Sequence, residues 1–306
     1  MSTLLLPATT AGAETSHQAT RTVYRLAAAA ATLTVAMGAI NSATGSGFAC
    51  PTWPGCYPGR FGPETEVHAL IEFSHRVVAA LTTPLLLVAA LMGRRLPRQM
   101  RLARRLPWLA ILGALSAAVL GMITVFNLGL PKPVAMFDLF SAMTCMSAMT
   151  VATLSLEHGN DEWRWSPLAR LGGWATGGIV LVHLLGVAVA GKGSFTSVMG
   201  WPLWRLTEHD GALALQWLRM AVAVATIALL GLTVARAWRW GRTRRAAAAL
   251  VLFGLVEFTI SQVIAELGTE MWFAATYAGA AAVVLFCAVL VTGRAALHRG
   301  ERPEGI

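Results

Sequence analysis

The sequence predicts an all-α integral membrane protein with eight transmembrane helices, arranged as two four-helix bundles that form a parallel repeat. Three observations predict it. Apolar runs of roughly 20 residues, the length that crosses a bilayer as a helix, recur along the whole chain. The arginines gather in alternate connections between those runs. The outer ends of the first and fifth runs match without gaps at a constant offset. Charged residues make up only 13% of the chain and apolar ones 56%, with a mean hydropathy of +0.61, which is not the balance of a soluble domain.

Taken in order, the expected spans are Val23–Ile40, Ala69–Met92, Trp108–Leu128, Val134–Leu156, Leu171–Ala190, Ala212–Ala237, Ala246–Ile264 and Met271–Thr292. Residues 1–21, rich in Ala, Thr and Ser, read as a disordered cytoplasmic tail, and 294–306 as a second tail. A signal peptide is the competing reading for the first apolar run, which ends in small residues. It is rejected because that run belongs to the repeat. In the repeat Gly38 pairs with Gly186, Gly45 with Gly193, Ser46 with Ser194, Trp53 with Trp201 and Pro54 with Pro202. The halves are therefore 22–157 and 168–293. Each has an even number of spans, so both copies lie the same way up.

The net charge of +9 is a topology signal rather than a nucleic-acid footprint. Arg94, Arg95, Arg98, Arg101, Arg104 and Arg105 follow the second span, and Arg236, Arg239, Arg242, Arg244 and Arg245 follow the sixth. Arg21, Arg25, Arg164, Arg170, Arg294, Arg299 and Arg302 fall on the same side. Only Arg60, Lys132, Lys192 and Arg205 fall on the other, with Arg76 and Arg219 inside spans. By the positive-inside rule both termini are cytoplasmic and the protein is a multi-pass component of the cell (inner) membrane.

Two regions carry chemistry. In the first outer loop Cys50 and Cys56 stand six apart on the non-cytoplasmic side, where an oxidising environment favours a disulfide over two free thiols. A metal site is the weaker reading, because no second Cys or His pair is near. Cys145 and Cys287 lie inside spans as small apolar fillers. The second span opens with Glu72-Phe-Ser-His75-Arg76, which puts Glu72, His75 and Arg76 on one helical face near the outer surface. Two readings are open there. Ionisable residues in a span face a pathway or cofactor, and a neutral imidazole can ligate iron. Alternatively Glu72 and Arg76 form an interfacial ion pair and His75 a polar contact.

The run Gly45-Ser-Gly, Cys50-Pro-Thr-Trp-Pro-Gly-Cys56 and Glu72-Phe-Ser-His75-Arg76 resembles the first half of the heme A synthase family, as does Leu120-Gly-Met-Ile-Thr-Val125 of the third span. The resemblance implies an eight-span enzyme that oxidises a methyl group of heme O to the formyl of heme A for terminal oxidases. It also implies two heme-ligating histidines per half, on the second and fourth helix of each. Only the first survives here, as His75. The fourth-span position falls at Phe137 or Asp138, the sixth-span motif reads Gln216-Trp-Leu-Arg219-Met, and the eighth-span position falls near Ala275, Thr276 or Tyr277. The second cysteine pair is replaced by Val198 and Trp204.

These departures imply that a heme b is lost from the second half, where Arg219 is expected to pair with Glu257 or Glu266, or else to contact a heme propionate in a retained pocket. In the first half His75 is the expected iron ligand, with Arg76 and Asp138 binding the cofactor and Met136 or Asp138 near the open position; Asp138 hydrogen-bonding His75 directly is the alternative. His183 reads as a satisfied core histidine, and His68, His158, His209 and His298 as solvated residues. Met136, Met143, Met146 and Met149 read as adaptable packing.

The leading functional expectation is a heme A synthase-like oxidoreductase, with His75 holding the substrate heme O, Glu72 catalytic at the reacting methyl, and the Cys50–Cys56 disulfide shaping the outer pocket. Heme O synthase and cytochrome oxidase subunits are the partners this implies. The main alternative is a non-catalytic paralogue that handles heme or assists oxidase assembly. A transporter is the third reading, weakened because no span is broken by Gly-Pro at mid-membrane.

Overall fold

A computed structural model describes residues 9–159, 162–189, 213–268 and 270–297. They form eight helices: α1 (Thr9–Ala43), α2 (Val67–Gly93), α3 (Arg101–Asn127), α4 (Lys132–His158), α5 (Pro167–Val189), α6 (Leu213–Ala237), α7 (Gly241–Leu267) and α8 (Met271–Ala296). Each contains a stretch long and apolar enough to cross a membrane, and the described residues contain no strand. The protein is a multi-pass helical membrane protein. Gly193, Ser194, Trp201 and Pro202 of the repeat lie outside the described residues, as do Lys192, Val198, Trp204, Arg205, His209, His298, Arg299, Arg302 and residues 1–8.

Several helices outrun the apolar runs that announce them. α3 begins at Arg101 rather than Trp108, and α7 at Gly241 rather than Ala246. Arginines end a hydropathy window but are good helix formers, and their stems lie along the helix while the charge reaches water. α1 likewise begins at Thr9, inside the stretch expected to be tail, and continues the hydrogen bonding of the apolar span Gln18–Ala43. Helix ends are set by local chemistry. Glu66 caps α2, accepting from the N–H groups of His68 and Ala69, and Gly159 at φ +58° closes α4.

In the first four helices α1 packs on α2, α2 on α3, α3 on α4 and α4 back on α1, so that α2 and α4 occupy opposite corners. The same ring recurs through α5, α6, α7 and α8. The rings meet where α1 packs on α8, α4 on α5 and α4 on α8. In α4 and α8 67% and 61% of the apolar window is buried, against 11% in α3, which places α4 and α8 at the centre. Small residues permit that closeness, since lipid offers no hydrophobic drive and contact must come from packing. A Cβ on Gly113 of α3 would sit 2.6 Å from the Ser141 carbonyl oxygen of α4, and one on Gly293 of α8 would sit 2.6 Å from Leu154. Met143 and Met146 of α4 join Ile179, Leu250 and Leu285 in a core shared by both rings.

Candidate heme site

The outer loop folds over the start of α2 and is fastened there. Cys50 and Cys56 form a disulfide, buried with Ala69 of α2. The Glu72 carboxylate accepts the Cys50 N–H at 2.7 Å and pairs with Arg76 one turn further along α2. The Arg76 guanidinium in turn donates to three loop carbonyls, those of Thr52, Gly55 (2.9 Å) and Cys50 (2.9 Å). The side chains of Arg76 and Glu72 are only 13% and 3% exposed. The loop thus supplies the polar partners that an intramembrane ion pair requires. Glu72 needs no turn toward the headgroups to be satisfied.

Two neighbouring contacts explain residues that the sequence leaves without a role. Ser46 is fully buried and hydrogen-bonds both Thr44 (2.6 Å) and the Nδ1 of His68 (2.9 Å). His68, expected to be solvated, therefore ties the Gly45-Ser-Gly turn to α2. Gly38 of α1 faces His75: a Cβ there would lie 3.0 Å from the imidazole Cε1 and 3.4 Å from Nε2. The ring rests directly on bare helix backbone.

His75 itself is in a different state from its neighbours. Its Nδ1 is buried and has no hydrogen-bond partner, an expensive arrangement for a polar atom. Asp138 is half-buried on α4, at the corner opposite α2, and among the described residues it forms no hydrogen bond or ion pair with His75. The two helices are not joined by the direct hydrogen bond that the sequence allows. Because Nδ1 is sealed among protein atoms, the His75 nitrogen left to serve as an axial ligand to a heme iron is Nε2, with the unpaired Asp138 carboxylate on the diagonal helix. Among the described residues no group of three or more His, Cys, Asp or Glu side chains could hold a bare metal ion.

The corresponding region of the second ring is built differently. Gln216 and Arg219 of α6 are buried. Arg219 lies in electrostatic range of Tyr277 on α8, and Tyr277 hydrogen-bonds Glu257 of α7. Tyr277 thus engages Glu257, one of the two glutamates expected to pair with Arg219. His183 shares a hydrogen bond of 2.7 Å between its Nδ1 and the Ile179 carbonyl, as expected of a core histidine. Nothing in the sequence pattern singles out Tyr277 as the bridge, because three helices must meet before its hydroxyl has either neighbour.

No protein-family model matches the sequence. Three curated proteins do, all named heme A synthase. The one from Shouchella clausii is 24% identical over 273 residues, 85% of this chain and 88% of its own length. Those from Alkalihalophilus pseudofirmus and Bacillus pumilus are 28% and 32% identical over 127 residues each, 41% of this chain, so the chain spans about two fifths of the length of either. Over most of its length the chain is similar to a heme A synthase, at an identity that marks it as divergent. In this chain the first ring holds a histidine with an unpartnered nitrogen beneath a braced outer loop. At the matching position of the second ring an arginine–tyrosine–glutamate chain crosses between helices.

Proposed function

We propose that this heme A synthase-like protein acts in the formation of oxidase heme, as an oxidoreductase on the methyl group of heme O, with the heme held in the first ring by His75. The observation that carries the reading is the unpartnered, buried Nδ1 of His75 set against Gly38. A bound heme supplies the iron and the reacting methyl group. The chain's own residues do the rest: His75 ligates, Asp138 contacts the cofactor from α4, and Arg76, its amino groups taken up by Glu72 and three loop carbonyls rather than free for the cofactor as expected, holds the disulfide-closed loop over the outer end to exclude water. On this reading Glu72 is the candidate catalytic residue at the methyl. The second ring carries no heme b, since the two positions where the resemblance places imidazoles fall at Arg219 and near Ala275, Thr276 or Tyr277. The halves 22–157 and 168–293 are the functional units, the cell (inner) membrane is the site of action, both termini are cytoplasmic, and heme O synthase and cytochrome oxidase subunits are the partners.

A second reading, a non-catalytic heme-handling or oxidase-assembly protein, is favoured by one observation. The two carboxylate oxygens of Glu72 are already engaged, by Cys50 and Arg76.

The deciding experiment measures iron, the optical spectrum and conversion of heme O to heme A on one purified preparation. One heme per chain, lost in His75→Ala, with heme A formed, is the expected result. Iron approaching two per chain with a bis-imidazole spectrum would overturn the assignment of the second ring. Heme retained in His75→Ala would overturn the site in the first. Heme bound without any conversion would move the protein to the second reading.

A further inference from the structure

We propose that the inner mouth between α2 and α3 is a binding site for an anionic phospholipid headgroup. A cavity of about 610 Å³ opens there, lined by Arg94, Arg98, Arg101, Arg104, Arg105 and Trp108. Five guanidinium groups share it, and among the described residues none of the five forms an ion pair with a carboxylate. The positive-inside rule accounts for arginines on this side of the chain. It does not require five of them to converge on one cavity without a counter-charge. Among the comparable arginines after α6, Arg244 is turned to the Trp238 carbonyl.

The local geometry adds to the demand for an anion. Three of the five, Arg101, Arg104 and Arg105, occupy the first turns of α3, where the helix dipole is positive and cations are unfavourable. The Met100 N-cap supplies no side-chain acceptor. Two of the arginines are held in place: Arg94 lies over the Trp108 ring at 4.8 Å, and Arg104 donates to the Leu96 carbonyl at 2.8 Å. They are ordered by the protein rather than scattered in solvent.

The recognised chemistry is a phosphate ester, which planar guanidinium forks bind through paired N–H donors. The volume falls within the roughly 300–1,000 Å³ of small-molecule sites, enough for a headgroup with its glycerol. The source is the bilayer, because the cavity sits where two membrane-crossing helices end and Trp108 marks the polar–apolar boundary.

The test uses the full-length protein in nanodiscs of phosphatidylcholine doped with phosphatidylglycerol or diphosphatidylglycerol, reading lipid retention by mass spectrometry and the unfolding temperature. Arg98→Gln/Arg101→Gln/Arg105→Gln is compared with Arg239→Gln/Arg242→Gln/Arg245→Gln, which removes as much charge from the connection after α6. Anionic lipid should be retained and should raise the unfolding temperature of the wild type and the second triple variant. In the first triple variant its affinity should fall by roughly ten- to a hundredfold. Should that variant insert badly, Arg98→Lys/Arg101→Lys/Arg105→Lys keeps the topology signal, and its affinity should also fall. Equal loss in both glutamine variants, or unchanged affinity in the lysine variant, would reduce the cavity to bulk charge and overturn the site. Protection by pyrophosphate in detergent without lipid would overturn the lipid source and assign the cavity to a soluble phosphate.

Discussion

Glu72 and Arg76 are worth considering as one unit with the loop they hold. Glu72→Gln keeps the shape and an acceptor for the Cys50 N–H but removes the charge facing Arg76. The expected cost is about 1–3 kcal/mol in unfolding free energy, and Arg76→Gln, which releases three loop carbonyls, should cost at least as much. This exceeds the ~1 kcal/mol of a partly exposed pair, because both side chains are buried beneath the loop. If Glu72 is also catalytic, Glu72→Gln abolishes heme A formation while Arg76→Gln, at matched stability and heme content, leaves a residual rate. Equal activity losses in the two variants would reduce Glu72 to a loop anchor. Gly38 provides an independent test of the heme site: Gly38→Ala sets a methyl 3.0 Å from the His75 ring, and should lower heme retention with the disulfide loop intact. Unchanged heme content would show that His75 has room to move. Glu72, His75, Arg76 and the cysteine pair were legible in the sequence because their relations are local, three, four or six residues apart. Gly38 stood out only as one member of a repeated pair. Its contact with His75 exists only after α1 and α2 pack.

Between helices, backbone proximity decides which substitutions hurt. Gly113→Ala directs its Cβ at the Ser141 carbonyl oxygen and at the backbone of Cys145, neither of which can swing aside. It should cost about 1–3 kcal/mol by forcing α3 away from α4. Gly121, on the same helix, has nothing within 4 Å of its would-be Cβ. Gly121→Ala should be neutral or stabilising by about 0.5–1 kcal/mol, since alanine is the better helix former. Thermal melts of the two variants in one detergent check the pair, and similar shifts would refute the close α3–α4 approach. The eight helices themselves were plain from apolar run length, whereas their ends were not. Hydropathy registers the loss of apolar character at Arg101 or Gly241, not the continuing hydrogen bonds. The contacts of Tyr277 escaped notice for a different reason: the sequence offers it only as one of three residues near the eighth-span position, while its neighbours Arg219 and Glu257 come from other helices.

At the level of the whole molecule the arginine distribution makes the strongest prediction. Single cysteines placed at 95–105 and at 236–245 should be protected from impermeant thiol reagents in intact cells, and labelled once the membrane is opened. Cysteines at Phe61 or Gly62 of the disulfide loop should show the reverse. Labelling of 95–105 in intact cells would invert the topology and place the lipid cavity in the other leaflet. The sequence predicts two related halves but not how they meet. That meeting runs through alanine- and glycine-rich faces of α8, such as Gly279 against Ile40 of α1 and Ala274 and Ala278 beside Ala43. Small residues carry little sequence contrast, so such a face does not advertise its partner.

The central position of α8 has a consequence for biogenesis. Helices leave the ribosome in order, and α1, the first of the eight, packs against α8, the last. Until residues 271–296 enter the bilayer, the faces of α1, α4 and α5 that α8 covers are exposed to lipid or to the insertion machinery. The seven-helix intermediate is therefore the species open to proteolytic surveillance, and its lifetime depends on the arrival of one alanine-rich helix. A bulky residue at Gly279 would then register as a protein made at the normal rate and degraded soon after synthesis, before heme loading could be measured at all.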